Sequence, residues 1–179
     1  LSVMDSAGNT VALTQTVESF FGCASVLAGY GFILNNQMQD LDPVPGHPNS
    51  VAPGKKPLSS MSPTVVLRDG RPFLTVGSPG SKRIITAVVQ VLSNIIDHGM
   101  GIQEAIDAPR IHTDGAELHI EGRFDAAVQD QLRRMGHTLV VRGPVDYYFG
   151  GAHGILRDPE SGELRGGADP RREGAAVGV

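Results

Sequence analysis

The amino-acid sequence predicts an α+β fold with layered packing, rather than a regular alternation of strands and helices. The first observation is the order of the patterns: strand-like runs come first, helical patterns follow, and further strand-like runs end the chain. The second is that the spacing of apolar residues changes to a helical period in the middle of the chain. With 179 residues, the chain is long enough for one domain with a hydrophobic core and too short for two comfortable ones. We therefore expect a single domain over 1–179.

The first element is expected to be a β-hairpin. Polar and apolar residues alternate from Ser2 to Asp5, Gly8-Asn9 marks a turn, and the second strand is predicted over 10–17. Chain termini usually lie in loose, exposed segments, so a strand that begins at residue 1 needs a reason.

Further strands are predicted at 31–35, 64–69 and 72–77. Asp69-Gly70 separates the last two and is a strong hairpin signal. The segment 41–63 is rich in Pro, Gly and Ser and has no periodicity. Long irregular segments of this kind in compact domains are usually functional.

The middle of the chain predicts helices. A long helix is expected over 82–98, ended by Gly99 and Gly101, and a short second helix over 102–108. The apolar residues of the long helix cover more than one face, so we expect it to be largely buried: Ile84, Ile85, Val88, Val89, Val91, Leu92, Ile95 and Ile96. The remaining elements are predicted as a strand at 117–120, a helix at 125–135, and strands at 138–142, 152–157, 162–166 and 174–179.

Composition excludes several classes of protein. The 15 basic residues are scattered and the net charge is −4, so nothing predicts nucleic-acid binding. No apolar run approaches the roughly 20 residues of a membrane helix. Cys23 is the single cysteine, which rules out an internal disulfide.

The titratable residues offer little independent chemistry. The six histidines have no metal-ligand spacing, so no metal site is predicted. His112 and His119 are expected on the surface, on either side of a turn. No GxSxG motif supports a serine nucleophile. The acidic residues near the C-terminus are expected to be solvated: Glu160, Glu163, Asp169 and Glu173.

Three stretches suggest a binding or catalytic site. In PLSSMSP, Ser59 and Ser60 would present hydroxyls and amides to an anion, although a capped turn explains them equally well. In GSPGSKRII, Gly80 and Ser81 precede the long helix, where free N–H groups suit a developing oxyanion. The alternative there is an N-cap formed by Ser78 or Ser81.

The third stretch is GFILNNQMQDLD, which ends in amide and carboxylate groups. Gln37 and Asp40 would accept hydrogen bonds from an ammonium group, and Glu18 would add another acceptor. The alternative is that strand ends are commonly polar.

Taken in order, the motifs resemble the small subunit of γ-glutamyltransferase (γ-glutamyltranspeptidase). The matching stretches extend from residue 2 to the C-terminus: SVMDSAGNTVALTQTVE, FFG, GFILNNQMQD, PGKKPLSSMSPT, LTVGSPGSKRIIT, APRIHT and GGADPRREGAAVG. Members of this family are made as precursors that cleave themselves, and the new N-terminal threonine is the nucleophile. The resemblance places that threonine just upstream of Leu1, which would explain why a strand starts the chain.

The resemblance also implies the fold and a role for each candidate residue. The fold would be the four-layer αββα sandwich of N-terminal-nucleophile hydrolases, completed by a large subunit of the same precursor. Thr16 would orient the nucleophile. Ser81 stands where the family usually has glycine. The other implied roles are the α-ammonium site of Glu18, Gln37 and Asp40, the α-carboxylate site of Ser59 and Ser60 with an arginine of the large subunit, and the oxyanion amides of Gly80 and Ser81.

The implied activity is γ-glutamyl transfer from a small-molecule donor to an amine or to water, without a cofactor. The alternatives are a cephalosporin or glutaryl acylase, a poly-γ-glutamate depolymerase, or a non-catalytic paralogue. The short segment LDPVPGHPNSVAPGKK lacks the extended lid of some family members, which predicts an open cleft. The resemblance implies a periplasmic or secreted protein.

Overall fold

The computed structural model describes residues 1–178. The chain clusters into two compact units: a larger one formed by Leu1–Thr14 and the chain from Met61 onward, and a smaller one formed by Gln15–Ser60. No helix in the described part of the chain is both long and apolar enough to cross a bilayer. The expectation of a single domain stays a prediction.

The larger unit contains strands and helices in the mixed order that the sequence predicts, which confirms the α+β class. The elements are β1 (Ser2–Met4), β2 (Thr10–Ala12), β3 (Thr64–Arg68), β4 (Arg71–Gly77), α1 (Arg83–Ile96), α2 (Ile102–Asp107), β5 (Ile111–Thr113), β6 (Leu118–Glu121), α3 (Ala126–Arg134), β7 (Leu139–Arg142), β8 (His153–Arg157) and β9 (Leu164–Ala168). Short 3-10 helices follow at Tyr147–Phe149 and Pro170–Arg172.

The opening hairpin is confirmed. β1 and β2 pair antiparallel, and the Asp5 carboxylate closes the turn by accepting from the backbone N–H of Asn9 at 2.8 Å. Gly8 has a φ of 92°, which suits glycine at this turn. The second strand ends at Ala12, before the predicted boundary, because the chain then leaves for the smaller unit.

β3, β4, β8 and β9 form an antiparallel four-stranded sheet in that order. The predicted turn at Asp69-Gly70 joins β3 to β4, with positive φ at both residues, as a tight hairpin turn requires. The hairpin β1–β2 packs against this sheet, and α1 and α2 also contact it. The larger unit is therefore layered.

The core lies between the sheet and the helices. It is formed by one face of α1, by α2 and by β4: Phe73, Leu74, Val76, Ile84, Val88, Val91, Ile95, Ile102, Ala105 and Ile106, with Ala152. The expectation that α1 is largely buried is wrong, because Ile85, Val89 and Ile96 are about half exposed. Their side chains lie on the face of α1 that turns away from the sheet.

β5, β6 and β7 form a second sheet, in which β5–β6 is antiparallel and β6–β7 is parallel. The sequence analysis missed β5, which is only three residues long. His112 and His119 are opposite each other in this sheet. His112 is buried and bonded to Thr86 Oγ1 at 2.9 Å, so its predicted surface position is wrong. Burial lowers its pKa, and the nearby Arg83 lowers it further.

Two predicted strands are absent from the described residues. The run 31–35 makes only an isolated bridge, Val26 to Ile33, because Gly29 and Gly31 adopt positive φ and interrupt the extended backbone. Residues 174–178 form no strand, and position 179 of that prediction lies outside the described residues. Asp169 is fully buried, so its predicted solvation is wrong, whereas Glu160, Glu163 and Glu173 are exposed.

The smaller unit has little regular structure, as the composition of 41–63 indicates. It contains a 3-10 helix at Gln37–Asp40 and a bridge between Asp42 and Ser50. Most of its backbone hydrogen bonds close turns and short irregular pairings.

Candidate functional site

A serine/threonine-type turn positions Glu18 in the smaller unit. Thr16 Oγ1 accepts a hydrogen bond from the backbone N–H of Glu18 at 2.8 Å. Glu18 has a φ of 77°, a left-handed conformation that non-glycine residues rarely adopt and that tends to occur at functional sites. Thr16 and Glu18, two predicted site residues, are thus in direct contact.

Amide and hydroxyl groups connect Glu18 to the stretch that contains Gln37 and Asp40. The Glu18 carboxylate accepts hydrogen bonds from Ser19 Oγ at 2.9 Å and from the amide of Gln39. Asn36 bridges back to Ser19, accepting from its backbone N–H at 3.0 Å and donating to its hydroxyl at 3.0 Å. The two segments are therefore held side by side within the smaller unit.

Gln37 and Asp40 form the other side of this cluster. The Gln37 amide donates to the Asp40 carboxylate, and the Gln37 backbone N–H donates to Asn35 Oδ1 at 3.0 Å. Burial raises the pKa of Asp40, and the negative charge of Glu18 raises it further. A carboxylate whose pKa is raised by burial and by a second carboxylate is a favourable place for a cation. We call Glu18, Gln37 and Asp40 the ammonium cluster.

Ser59 and Ser60 are the last residues of the smaller unit. Ser59 is exposed and Ser60 is partly buried. Their role as anion-binding hydroxyls stays a prediction.

Gly80 and Ser81 belong to the larger unit, in the turn 78–82 between β4 and α1, which we call the oxyanion turn. Gly80 has a φ of 136° and Ser81 a φ of 56°. Their carbonyls accept hydrogen bonds from the backbone N–H groups of Arg83 and Ile84, at 3.1 Å and 3.0 Å. Among the described residues, no hydrogen bond is donated by the backbone N–H of Gly80 or Ser81. These N–H groups precede a 14-residue helix, so the helix dipole favours a negative charge beside them.

The alternative reading of this turn as an N-cap is wrong. The residue at the N-cap position is Lys82, and its side chain makes no capping hydrogen bond. Ser78, which is buried, instead donates to Pro79 O at 2.9 Å and accepts from the backbone N–H of Gly151 at 3.1 Å. Ser78 therefore connects the turn to a distant part of the larger unit.

The glycine pair Gly150-Gly151, which the sequence analysis missed, packs directly against the oxyanion turn. A Cβ on Gly150 would lie 2.6 Å from Ser78 Oγ and 2.7 Å from Pro79 O, and a Cβ on Gly80 would lie 3.2 Å from Gly150 Cα. Only glycine permits so close an approach of two backbones. The adjacent glycines in FGGAH were the available signal.

A buried ionic network, also missed, lies behind this glycine pair. Arg110 Nη1 pairs with Asp169 Oδ2 at 2.6 Å, and Arg171 Nε pairs with Glu121 Oε1 at 2.6 Å. All four side chains are at most 5% exposed. Burial would raise the pKa of Glu121, but hydrogen bonds from Arg171 and Arg123 outweigh it and the pKa lies below its ordinary value. The arginines in APRIHT and DPRR were the sequence signal for this network.

The described residues contain no group of three or more His, Cys, Asp or Glu side chains that could hold a metal ion. Hydrogen-bond donors and acceptors, and charges on side chains, are therefore what the described site offers to a ligand.

Comparison with known proteins relates this geometry to a family. The family model described as gamma-glutamyltranspeptidase matches residues 1–179. The glutathione hydrolase proenzyme of Bacillus subtilis strain 168 is 41% identical over 179 residues, which cover 99% of this chain and 30% of that protein. The acylase ACY 1 proenzyme of Pseudomonas sp. strain SE83 is 40% identical over 179 residues, which cover 100% of this chain and 31% of that protein.

Solved structures are similar over nearly the whole chain. A mutant gamma-glutamyltranspeptidase from Helicobacter pylori superposes with a TM-score of 0.87 at 41% identity, covering 96% of this chain and 98% of that chain. The chain thus spans less than a third of the curated relatives, at 30% and 31% of their lengths, but nearly all of this solved chain.

Proposed function

Because the chain belongs to the gamma-glutamyltranspeptidase family, we propose that it is the small subunit of a self-cleaving γ-glutamyltransferase that transfers a γ-glutamyl group to an amine or to water. The fold is that of an N-terminal-nucleophile hydrolase. The observation that carries the proposal is the ammonium cluster, in which hydrogen bonds hold Glu18 beside the stretch that contains Gln37 and Asp40.

The ammonium cluster supports a donor with an α-ammonium group. A γ-glutamyl donor carries an ammonium and a carboxylate on one carbon, several bonds away from the scissile carbonyl. In the proposed complex, Glu18, Gln37 and Asp40 accept hydrogen bonds from the ammonium, and the hydroxyls of Ser59 and Ser60 donate to the carboxylate. Charge-assisted hydrogen bonds of this type contribute roughly 1.5–3 kcal/mol each.

The proposed reaction runs through an acyl-enzyme. The nucleophile is the N-terminal threonine that the family resemblance expects just upstream of Leu1, and its free α-amino group takes the hydroxyl proton. The hydroxyl oxygen attacks the γ-carbonyl, whose oxygen becomes an anion beside the backbone N–H groups of Gly80 and Ser81. The tetrahedral intermediate collapses and the donor's scissile C–N bond breaks. The amine leaves with the proton that the α-amino group of the threonine had taken up. An acceptor amine or water then attacks the ester, and the threonine hydroxyl is restored.

Thr16 has a positioning role in this proposal. Its hydroxyl oxygen accepts from the N–H of Glu18, so its own proton is available as a donor to the nucleophile. The same side chain would thereby connect the nucleophile to the ammonium cluster.

A large subunit from the same precursor is the proposed partner. The face of α1 that carries Ile85, Val89 and Ile96 leaves about half of each side chain exposed, and a second subunit would cover this apolar strip. The coverage of 30% of a relative that is named a proenzyme also supports a missing larger portion.

An acylase is the second candidate, because one relative at 40% identity is named an acylase proenzyme. A glutaryl group has no α-ammonium, so it would leave Glu18 and Asp40 without a cationic partner. A comparison of γ-glutamyl and glutaryl amides of the same leaving group separates the two: the proposal expects a clear preference for the γ-glutamyl amide. A preference for the glutaryl amide would favour the acylase.

The direct test uses the full-length precursor. After purification and incubation with a γ-glutamyl affinity label, the intact mass and N-terminal sequence of the small chain are measured. We expect a mature chain that starts with threonine just upstream of Leu1 and carries one label. A mature chain that takes no label would overturn the γ-glutamyl specificity, and a precursor that does not cleave would overturn self-processing.

A further inference from the structure

We propose that the buried ion pair of Arg110 and Asp169 positions the oxyanion turn, acting through Gly150-Gly151 and Ser78. This inference rests on the proposed function, since it concerns the same reaction. Arg110 and Asp169 are positioning residues here, because they touch no reacting atom.

The ion pair holds both ends of the glycine pair. Arg110 Nη1 donates to the carbonyl of Phe149 at 3.1 Å, directly before Gly150. Asp169 Oδ2 accepts from the backbone N–H of Ala152 at 2.7 Å, directly after Gly151. The same Nη1 and Oδ2 atoms are 2.6 Å apart. One ion pair therefore fixes the backbone on either side of the two glycines.

The glycine pair in turn contacts the oxyanion turn at two points. The Gly151 N–H donates to Ser78 Oγ at 3.1 Å, and the Gly150 backbone packs against Ser78, Pro79 and Gly80 at the distances given above. A shift of residues 149–152 would move the turn that carries the two free N–H groups. Oxyanion donors work only when held at the position where charge develops, so such a shift lowers the rate.

A second buried pair keeps the first in place. Arg171 Nη1 donates to Asp169 Oδ1 at 3.1 Å, while its Nε and Nη2 hold the two oxygens of Glu121. Glu121 Oε2 also accepts from the backbone N–H of Arg110 at 3.0 Å. In a site sheltered from water, charge-assisted bonds of this kind are strong and directional. The connected network thus restricts the rotation of both Arg110 and Asp169.

The kinetic consequence is specific. The ammonium cluster and Ser59-Ser60 belong to the smaller unit and are not substituted in this experiment. The backbone N–H groups of Gly80 and Ser81, which a shift of the turn would displace, are needed only when the carbonyl oxygen becomes charged. We expect Ser78→Ala and Asp169→Asn to lower the rate of enzyme acylation by roughly 10- to 100-fold with KM for the donor changed by less than about threefold. Ser78→Thr, which keeps the hydroxyl, should restore most of the rate.

The variants are made in the full-length precursor. Only mature small chain, quantified by intact mass, enters the rate, and single-turnover acylation is measured with a chromogenic γ-glutamyl amide. Arg165→Ala is the control, because the Arg165 side chain pairs with Glu163 on the surface and contacts neither Phe149 nor Ala152. It should leave the acylation rate unchanged.

Ser78→Ala and Asp169→Asn act on opposite ends of one contact chain, so a folding defect in one leaves the other informative. Acylation at the wild-type rate in either mature variant would overturn the inference, as would an equal rate loss in Arg165→Ala. If the wild-type enzyme itself forms no γ-glutamyl adduct, the proposed function fails, which is a different result.

Discussion

Glu18 and Asp40 interact electrostatically within the smaller unit. Burial is the first cause that raises the pKa of the Asp40 carboxyl, and the negative charge of Glu18 is the second. The raised pKa means that the ionised form of Asp40 is disfavoured in the free protein. An ammonium group bound between the two carboxylates would remove that penalty. The cluster is therefore better suited to the bound state than to the free one.

Glu18→Gln should weaken donor binding and shift its pH dependence. Loss of one charge-assisted bond should raise KM by roughly 10- to 100-fold. An ammonium donor needs ionised Asp40, so affinity falls as the pH drops through the pKa of Asp40. Removing the Glu18 charge lowers that pKa toward the ordinary value of 3.8, so the pH below which KM for the donor rises should move lower.

The measurement is KM for a γ-glutamyl amide as a function of pH. Asp42→Asn is the control, because Asp42 is an acidic residue of the same unit that bonds to Val44 and His47 instead. A KM that rises below the same pH in Glu18→Gln and wild type would contradict the prediction.

Ser81→Gly should preserve activity and relieve backbone strain. Ser81 holds a φ of 56°, a conformation that costs a non-glycine residue about 1 kcal/mol or more. Part of the gain is offset because glycine loses more chain entropy on folding. We expect the free energy of unfolding to be unchanged or up to about 1 kcal/mol higher.

Denaturant unfolding compared with Ser81→Ala, which keeps the strain, isolates the effect of the backbone. Both variants lack the serine hydroxyl, so a Ser81→Gly protein that is clearly less stable than Ser81→Ala would contradict the prediction of backbone strain at this position.

Gly150→Ala should destabilise the larger unit more than Gly115→Ala does. Both glycines have positive φ, but only the Cβ at position 150 would meet neighbouring atoms. At Gly150, with a φ of 87°, a Cβ would meet Ser78 Oγ at 2.6 Å. Gly115 has a φ of 105° and nothing within 4 Å of its Cβ position. The difference between Gly150→Ala and Gly115→Ala therefore measures the clash alone, for which we expect about 1–3 kcal/mol. If Gly150→Ala and Gly115→Ala lower the free energy of unfolding by the same amount, the oxyanion turn moves away from the added Cβ without cost.

Glu121→Gln should reduce stability at neutral pH and flatten its acid dependence. The pKa of Glu121 is below its ordinary value, because its hydrogen bonds to Arg171 and Arg123 outweigh burial. Its stabilisation is thus fully present above pH 4.5 and is lost as the pH falls through the lowered pKa. Removing one partner of a buried ion pair typically costs about 3–5 kcal/mol.

Urea unfolding between pH 3 and 7 tests this prediction. The exposed Glu163, which pairs with Arg165, provides the control substitution Glu163→Gln, which should change little. An acid dependence as steep in Glu121→Gln as in the wild type would contradict the prediction.

Local signals in the sequence predict the elements that depend on near neighbours. Asp69-Gly70 predicts a hairpin because its turn conformation is set by those two residues, and the periodicity around Val88 and Val91 predicts a helix, although not that Ile85 and Val89 stay half exposed. The run 31–35 is apolar in the same local sense, but Gly29 and Gly31 break the backbone there. The segment 31–35 therefore forms an isolated bridge instead of a continuous strand.

Burial of charge is not a local property, which explains the failure at Asp169 and the omission of Gly150-Gly151. Asp169 is stable inside the larger unit only because Arg110 and Arg171 meet it there. The two glycines are needed only because Ser78 approaches them, and no periodicity encodes that approach. Sequence motifs therefore predict residues of the candidate site. The contacts that support the oxyanion turn are visible only in the three-dimensional structure.

The pairing of β4 with β8 has a consequence for the order of folding. β3 and β4 form a hairpin from adjacent segments, but the other edge of β4 pairs with the distant β8. The ion pairs of Arg110 with Asp169 and of Glu121 with Arg171 likewise join segments far apart in sequence. Contacts between segments so far apart in sequence slow folding, because the loop-closure entropy is lost before they form. We therefore expect the hairpins between adjacent segments of this chain to form before the ion pairs of its interior.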